Sequence, residues 1–156
     1  MLILDGTIPT DVRTFLQRIH EETDVRDIIT YGQWLNSHAH NCSHPIPRGI
    51  VYMRISPAIA HTRIQKRALV EESFISLEIL ETIYAKQNQL FIERQSLSHH
   101  LHDLPVLVLN GNIDFQTDFA QFYNHLFYIK RFLKDIQDKE DLALGIYKEK
   151  PQRKCC

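Results

Sequence analysis

Short apolar runs alternate with longer amphipathic segments along this chain. Three runs are rich in aliphatic residues and end at turn-forming residues, as buried strands do; they cover 2–4, 49–55 and 104–109. Five segments place apolar residues three to four positions apart and therefore predict helices, at 11–20, 23–37, 57–67, 77–91 and 117–136. Strands separated by helices of these lengths require right-handed crossovers, so the pattern predicts an α/β fold with a parallel sheet covered by helices.

The helical spacing also predicts which side chains are buried. The first helix shares one apolar face among Val12, Phe15, Leu16 and Ile19, and Thr10 or Asp11 is placed to cap it. The last helix is predicted to bury Phe119, Phe122, Tyr123, Leu126, Ile129 and Leu133. Aromatic residues occupy too many faces of that helix for one-sided burial, which predicts partner contacts as well as core packing; they are Phe119, Phe122, Tyr123, Phe127, Tyr128 and Phe132.

Composition narrows the class of protein. The 156 residues are 44% hydrophobic and 24% charged, a profile typical of one globular domain. The formal net charge of -1 provides no field for polyanions, so we expect no nucleic-acid partner. No apolar run approaches the roughly 20 residues of a membrane span, so we expect no membrane partner. The three cysteines, Cys42, Cys155 and Cys156, form no disulfide framework, which favours a reducing, cytoplasmic location.

Four stretches carry a resemblance to a known family: GIVYMRISP, then RIQKR with EES, then ISLEILETIY, then PVLVLNGNIDF. In this order they resemble the fourth strand, the helix leading into the mobile lid, the helix after the lid and the fifth strand with its adenine loop of the deoxynucleoside kinases, in particular the bacterial deoxyadenosine and deoxyguanosine kinase branch. LILDGTIPTD looks like the family's third strand and the motif after it. The resemblance implies a P-loop-kinase-like parallel sheet over residues 1–137, incomplete because only family strands three to five are present. The charged residues of 138–156 predict a flexible tail.

The family's activity implies a chemistry for particular residues. Its members transfer the γ-phosphoryl group of ATP to the 5′-hydroxyl of a deoxynucleoside, with Mg²⁺, and such chemistry needs positive charge around the transferred group. By resemblance Arg63 and Arg67 are lid arginines that reach the ATP phosphates, a task suited to a planar guanidinium that stays charged. Asp5 resembles an acidic residue near the phosphates and the metal.

The same resemblance implies ligand-binding residues. Glu72 matches the lid carboxylate that accepts a hydrogen bond from the sugar 3′-hydroxyl, and Ile113, Asp114 and Phe115 match the loop beside the adenine of ATP. The implied partners are a deoxynucleoside and ATP, together with a second copy or another chain. The residues that would read the base have diverged or have no counterpart, so the sequence does not select one deoxynucleoside.

The chain also departs from the family pattern. Gly6 and Leu69 stand where relatives place arginines, and no G-x-x-x-x-G-K-[ST] stretch or counterpart of the general-base glutamate occurs. In the family the first strand lies between the third and the fourth, so two unpaired inner edges are expected here. Either the chain is a truncated piece of a salvage kinase, inactive on its own, or it is a degenerate, non-catalytic remnant or interaction module on the same scaffold.

Histidine-rich stretches allow an alternative interpretation. In an extended segment His38, His40, Cys42 and His44 could face one way and bind zinc. A polar loop between a helix and a strand is the preferred explanation, and the resemblance implies no metal ligand in this region. The histidines in 99–102 are similarly explained as a solvated helix end.

Two further features of the sequence can be explained without a specific function. Glu71 and Glu72 near Arg63 and Arg67 could form a solvated ion-pair network that contributes little to stability. The terminal Cys155–Cys156 pair after basic residues resembles a lipidated tail, although an exposed tail without such a role is the simpler interpretation.

Overall fold

The sheet is parallel throughout. A computed structural model describes residues 2–6, 9–22, 28–30, 47–95, 103–114 and 117–145. Within these ranges one four-stranded sheet has the order β2-β1-β3-β4. The strands are β1 (Leu2–Gly6), β2 (Ile28–Thr30), β3 (Gly49–Arg54) and β4 (Val106–Asn110). The predicted parallel α/β fold is therefore confirmed, with one strand more than the sequence pattern indicates.

Four α-helices flank this sheet in the described ranges. They are α1 (Pro9–Glu22), α2 (Pro57–Arg67), α3 (Leu77–Phe91) and α4 (Phe119–Ala143), and a short 3₁₀ turn covers Val70–Glu72. All four α-helices lie where the apolar spacing predicts them. None of the helices described is both long and apolar enough to cross a membrane.

The predicted helix over 23–37 is wrong where the structure describes it. Ile28–Thr30 is a strand whose residues pair with β1, Leu2 lying opposite Ile28 and Leu4 opposite Thr30. β-branched residues fit a pleated sheet well, and pairing with β1 outweighs the helical spacing of the longer segment. The rest of 23–37 lies outside the described residues, as do the histidine-rich stretches and the terminal cysteines.

Helix α4 extends six residues beyond 137, so residues 138–143 are helical rather than part of a loose tail. Arg48, just before β3, holds this last part of the helix. Its Nη2 donates to Gln137 Oε1 at 2.8 Å, and its Nε donates to Glu140 Oε1 at 2.8 Å. Gln137 Nε2 in turn donates to Asp141 Oδ1 at 2.7 Å, a one-turn contact that supports the helix. Residues 146–156 lie outside the described ranges.

Strands β1 and β3 pair directly, so the expectation of two unpaired inner edges is wrong. The register runs from Leu2 opposite Gly49 to Gly6 opposite Met53. A Cβ atom on Gly6 would lie 2.8 Å from Val12 Cγ2 and 2.9 Å from the Met53 carbonyl oxygen. Gly6 therefore permits this close pairing at the position where the family resemblance expects an arginine.

Helices cover both faces of the sheet. Leu4, Val51 and Leu109 face α1 and α4, whose rings Phe15 and Phe122 meet edge to face at 5.7 Å. On the opposite face Ile50 and Tyr52 pack against Phe91 of α3, with 5.0 Å between the rings of Tyr52 and Phe91. Helix α2 continues from the carboxyl end of β3, and its buried residues Ala60 and Ile64 join the larger cluster.

Helix α4 is only partly buried along its aromatic face. Phe122, Leu126 and Ile129 are buried as predicted. Phe119 and Tyr123 are 59% and 53% exposed, so the prediction that they are buried is wrong. The buried stripe follows positions 122, 126 and 129, while Phe119, Tyr123, Phe127 and Tyr128 turn toward solvent in the described chain.

Candidate functional site

The carboxyl ends of the strands place several polar residues at one edge of the sheet. Asp5 and Gly6 end β1, Arg54 ends β3 and Asn110 ends β4. Strand β1 is bordered by β2 on one side and by β3 with β4 on the other, so the chain changes direction across the sheet between β1 and β3. Open α/β sheets bind ligands in the crevice outside such a point. The candidate site lies at this edge.

Asp11, in the first turn of α1, is the centre of a charge cluster at that edge. Its side chain is 10% exposed, and its Oδ2 accepts a hydrogen bond from Arg63 Nη1 at 3.1 Å. Its Oδ1 accepts another from Arg67 Nη1. One carboxylate thus holds both of the arginines that the family resemblance assigns to the lid.

Arg63 joins helix α2 to the loop after β4. Besides Asp11, its Nη1 donates to the Gly111 carbonyl oxygen at 2.8 Å. Its Nη2 donates to the carbonyl oxygens of Asn112 at 3.0 Å and Ile113 at 2.9 Å. Both terminal nitrogens of Arg63 are therefore fully used, and the arginine fixes the loop that carries the predicted adenine contact Ile113.

Arg67 is held from its other side by Glu72. Its Nη2 and Nε donate to Glu72 Oε2 at 3.1 and 3.3 Å. Helix α2 ends at Arg67. Ala68, the next residue, adopts a left-handed conformation with φ 51°, and the 3₁₀ turn that follows brings Glu72 back toward the helix. The predicted ion-pair network is thus present for Glu72, while the Glu71 side chain lies outside the described part of the chain.

These four side chains, Asp11, Arg63, Arg67 and Glu72, are called the charge cluster below. Their carboxylates and guanidiniums balance formally, and their exposed fractions range from 10% to 25%. Partly buried charges are stable only when paired, so removing one member leaves the others uncompensated. The cluster is therefore a pre-formed arrangement of charges with few free donors.

Asp5 lies apart from the charge cluster. Its Oδ1 accepts a hydrogen bond from the Gly6 backbone N–H at 2.8 Å. Burial raises the pKa of the Asp5 carboxyl above its ordinary value, while hydrogen bonds from Gly6 and from the Gln87 side chain on α3 partly oppose that shift. Asp5 pairs with Tyr52 in the sheet and so faces α3. No ion pair of the described residues includes Asp5.

The predicted adenine loop is described in part. Ile113 is half-buried and bonded to Arg63, while Asp114 is exposed. The Asp114 carbonyl oxygen accepts from the backbone N–H groups of Thr117 at 3.2 Å and Asp118 at 2.8 Å. Phe115 lies outside the described residues. Of the predicted site residues, contacts therefore unite Arg63, Arg67, Glu72 and Ile113.

Sequence reasoning missed Asp11 as a site residue and gave it only a capping role. Arg63 and Arg67 are four residues apart on α2 and so share one face, which is a signal that a single acidic group could bridge them. Their partner is 52 and 56 residues away, and no local pattern identifies it. In the described ranges no three histidine, cysteine or acidic side chains form a metal-binding group.

Comparisons with known proteins decide the family. A family model described as deoxynucleoside kinase matches residues 1–134. The chain belongs to the deoxynucleoside kinase family. The predicted family is therefore confirmed.

Several curated relatives of this chain are named as deoxycytidine kinases. Deoxycytidine kinase 2 of Gallus gallus is 38% identical over 45% of this chain and 27% of its own length. A protein named "Probable deoxycytidine kinase" of Fowlpox virus is 25% identical over 75% of this chain and 49% of its own. Deoxycytidine kinase of Rattus norvegicus is 27% identical over 74% of this chain and 46% of its own length. The chain thus spans about half the length of these relatives or less, and the bacterial branch stays a prediction.

Proposed function

We propose that these residues belong to a deoxynucleoside kinase that transfers the γ-phosphoryl group of ATP to a deoxynucleoside 5′-hydroxyl in nucleotide salvage. Family membership supports the reaction class. The observation that carries the proposal is the position of Arg67, held between Asp11 and Glu72 at the carboxyl edge of the sheet. Deoxycytidine is the first substrate to test, because the relatives named above are deoxycytidine kinases.

The proposed roles follow from charge and position. A transferring phosphoryl group spreads negative charge over its oxygens, and a guanidinium stabilises that charge without changing its own protonation. In the proposal Arg67 exchanges its bond with Asp11 for one with a phosphate oxygen, while Arg63 keeps the loop at Ile113 in place beside the adenine. Glu72 then accepts a hydrogen bond from the sugar hydroxyl.

Asp5 suits a role near Mg²⁺. It supplies a carboxylate oxygen, the ligand type that Mg²⁺ prefers, and Mg²⁺ commonly uses one or two carboxylates together with substrate phosphates. When bound, the ion would neutralise charge on the phosphates. Burial raises the pKa of the Asp5 carboxyl, and no ion pair among the described residues compensates its ionised form, so a bound cation would stabilise that form. Asp5 is accordingly the residue we assign to the ion.

We also propose that residues 1–156 do not transfer phosphate on their own. The sequence contains no G-x-x-x-x-G-K-[ST] stretch to surround the phosphates with backbone N–H groups. Both arginines are already paired with carboxylates, so a triphosphate must compete with them. The same proposal includes that the chain is a truncated piece of a kinase, that it is located in the cytoplasm and that it binds a second copy or another chain.

A second function is favoured by the direct pairing of β1 with β3. In this pairing β1 and β3 are direct neighbours, at the place where the family resemblance locates another strand between them, and Gly6 makes the pairing possible. A sheet without a gap for that strand fits a non-catalytic interaction module. The exposed aromatic side chains of α4 would then contact a partner or a second copy.

The deciding experiment uses the protein at the length found in its source cells. Its intact mass is measured, and the purified protein is incubated with γ-labelled ATP, Mg²⁺ and each deoxynucleoside in turn. A kinase yields a labelled deoxynucleoside monophosphate, with kcat lowered roughly 100-fold or more in Arg67→Ala, the range seen when one stabilising donor is removed.

The matched control is Arg13→Ala, an exposed arginine on α1 with no described ion pair. This variant is expected to keep the wild-type rate. A natural mass of 18.4 kDa with no labelled product from any deoxynucleoside would contradict the kinase proposal and favour the interaction module.

A further inference from the structure

An open groove lies outside the carboxyl ends of β3 and β4, next to the charge cluster but with different side chains. Its volume is about 380 Å³. Tyr84 of α3 and Val108 and Leu109 of β4 line it. The polar residues that line it are Arg54, Ser56, Asn110 and Asn112. The lining contains no carboxylate.

Both asparagine side chains of the groove are oriented by the backbone. The Ser56 N–H donates to Asn112 Oδ1 at 2.7 Å, and the Asn112 N–H donates to Asn110 Oδ1 at 3.1 Å. A backbone N–H can only donate, so the amide oxygens must face these groups. The Nδ2 groups of Asn110 and Asn112, which can only donate, are left for the groove.

Ser56 adds a hydroxyl that has no role in starting the helix. Ser56 is the N-cap of α2, yet its side chain makes no capping hydrogen bond. By contrast Ser76, the N-cap of α3, accepts a hydrogen bond from the Ile79 N–H at 3.3 Å. The Ser56 hydroxyl is therefore available to a ligand in the groove.

Arg54 supplies the positive charge. Its side chain is exposed, and its guanidinium carbon lies 5.3 Å from the centroid of the Tyr84 ring. A guanidinium over an aromatic face is held in place while its N–H groups stay free to donate. No ion pair of the described residues neutralises Arg54.

We propose that this groove binds a small oxyanion through Arg54, Ser56 and the amide groups of Asn110 and Asn112. These residues line one groove at the carboxyl edge of a parallel sheet, where α/β proteins bind ligands. Phosphate and carboxylate groups share the required chemistry, because both present more than one negatively charged acceptor oxygen when ionised. The site is separate from the Arg63 and Arg67 positions and does not depend on phosphoryl transfer.

The test is an NMR titration of ¹⁵N-labelled residues 1–156 with inorganic phosphate, and in a second arm with acetate, at constant ionic strength. We expect saturable shifts of the Ser56 and Asn112 amide signals with a dissociation constant in the millimolar range. Arg54→Gln is expected to raise that constant roughly tenfold, as for loss of one hydrogen bond to a charged group. Ser56→Ala should raise it by a smaller factor.

The matched control is Arg13→Gln, which removes the same charge from an exposed position on α1 and should leave the constant unchanged. Saturation by either anion at Ser56 and Asn112 supports the proposal, and saturation by phosphate alone restricts the ligand to phosphates. Shifts that saturate only around Asp11 and Glu72, an unchanged constant in Arg54→Gln, or no saturation with either anion would overturn it. None of these results depends on kinase activity.

Discussion

The charge cluster and the Arg54 groove lie at the same edge of the sheet but treat their arginines differently. In the cluster, Arg63 and Arg67 are bound by Asp11, Glu72 and three backbone carbonyls. In the groove, Arg54 lies over an aromatic ring and has no described ion-pair partner. Both regions place guanidiniums beside the carboxyl ends of β3 and β4, but only the guanidinium of the groove has no carboxylate partner among the described residues.

This difference shows that the identity of a residue does not determine its availability. The family resemblance selects Arg63 and Arg67 for phosphate binding, and internal carboxylates already occupy both of them. Pairing in a partly buried position stabilises such side chains and opposes their release to a ligand. Arg54, which is not among the predicted site residues, has N–H groups that no described carboxylate binds.

The strongest way to break the charge cluster is Asp11→Ala. Both guanidiniums would lose a partly buried counter-charge, so we expect the free energy of unfolding to fall by about 3 kcal/mol. Urea unfolding of wild type and variant measures the difference. Asp138→Ala, on an exposed part of α4, should change it by less than about 0.5 kcal/mol. An equally small effect of Asp11→Ala would mean that the cluster is solvated and contributes little.

A second change acts at the contact between β1 and β3. Gly6→Ala places a Cβ atom 2.8 Å from Val12 Cγ2 and 2.9 Å from the Met53 carbonyl oxygen. Such overpacking is expected to cost about 2 kcal/mol, measured by thermal and urea unfolding. Gly145→Ala meets no atom within 4 Å, so it should cost only the backbone strain at φ +70°, about 1 kcal/mol. A neutral Gly6→Ala would contradict the direct pairing of β1 with β3.

The two N-cap serines sharpen the distinction between structural and available groups. Ser76→Ala removes a bond to the Ile79 N–H and should lower the free energy of unfolding by about 1 kcal/mol. Ser56→Ala removes no cap bond and should change it by less than about 0.5 kcal/mol. Differential scanning calorimetry of both variants provides the comparison. Equal losses would show that Ser56 has a structural role instead.

The smallest expected effect concerns Asp5, a carboxylate outside the cluster. Its pKa is raised by burial, so the protonated form favours folding; that stability is complete below the unfolded pKa of about 3.9 and is lost as pH rises through the folded pKa. Asp5→Asn should therefore raise Tm at pH 7 relative to wild type, and the difference should shrink as the pH approaches 3. A lower Tm for Asp5→Asn at pH 7 would contradict this assignment.

The parallel sheet and most helices could be predicted because their signals are local. Three of the four strands follow from apolar runs, and α2 and α3 begin and end where the apolar spacing predicts. Strand β2 was missed because three residues, Ile28–Thr30, become a strand only through pairing with β1. The continuation of α4 was missed because Arg48, far away in sequence, holds Gln137 and Glu140.

The candidate site could be predicted in composition but not in its pairing. Arg63, Arg67 and Glu72 were identified through the family resemblance, and they do lie together. Asp11 could not be identified, because its partners are brought to it by the fold of α1 against α2. The groove was missed because Arg54 and Asn112 belong to different strand ends that the sheet brings together.

The central claim is that residues 1–156 keep Arg67 paired with carboxylates and do not transfer phosphate alone. The most direct test is a time course of this chain with γ-labelled ATP, Mg²⁺ and each deoxynucleoside, followed by separation of the monophosphates. We predict no labelled monophosphate above the background of a reaction without protein. Time-dependent formation of a deoxynucleoside monophosphate that is lost in Arg67→Ala would contradict the claim.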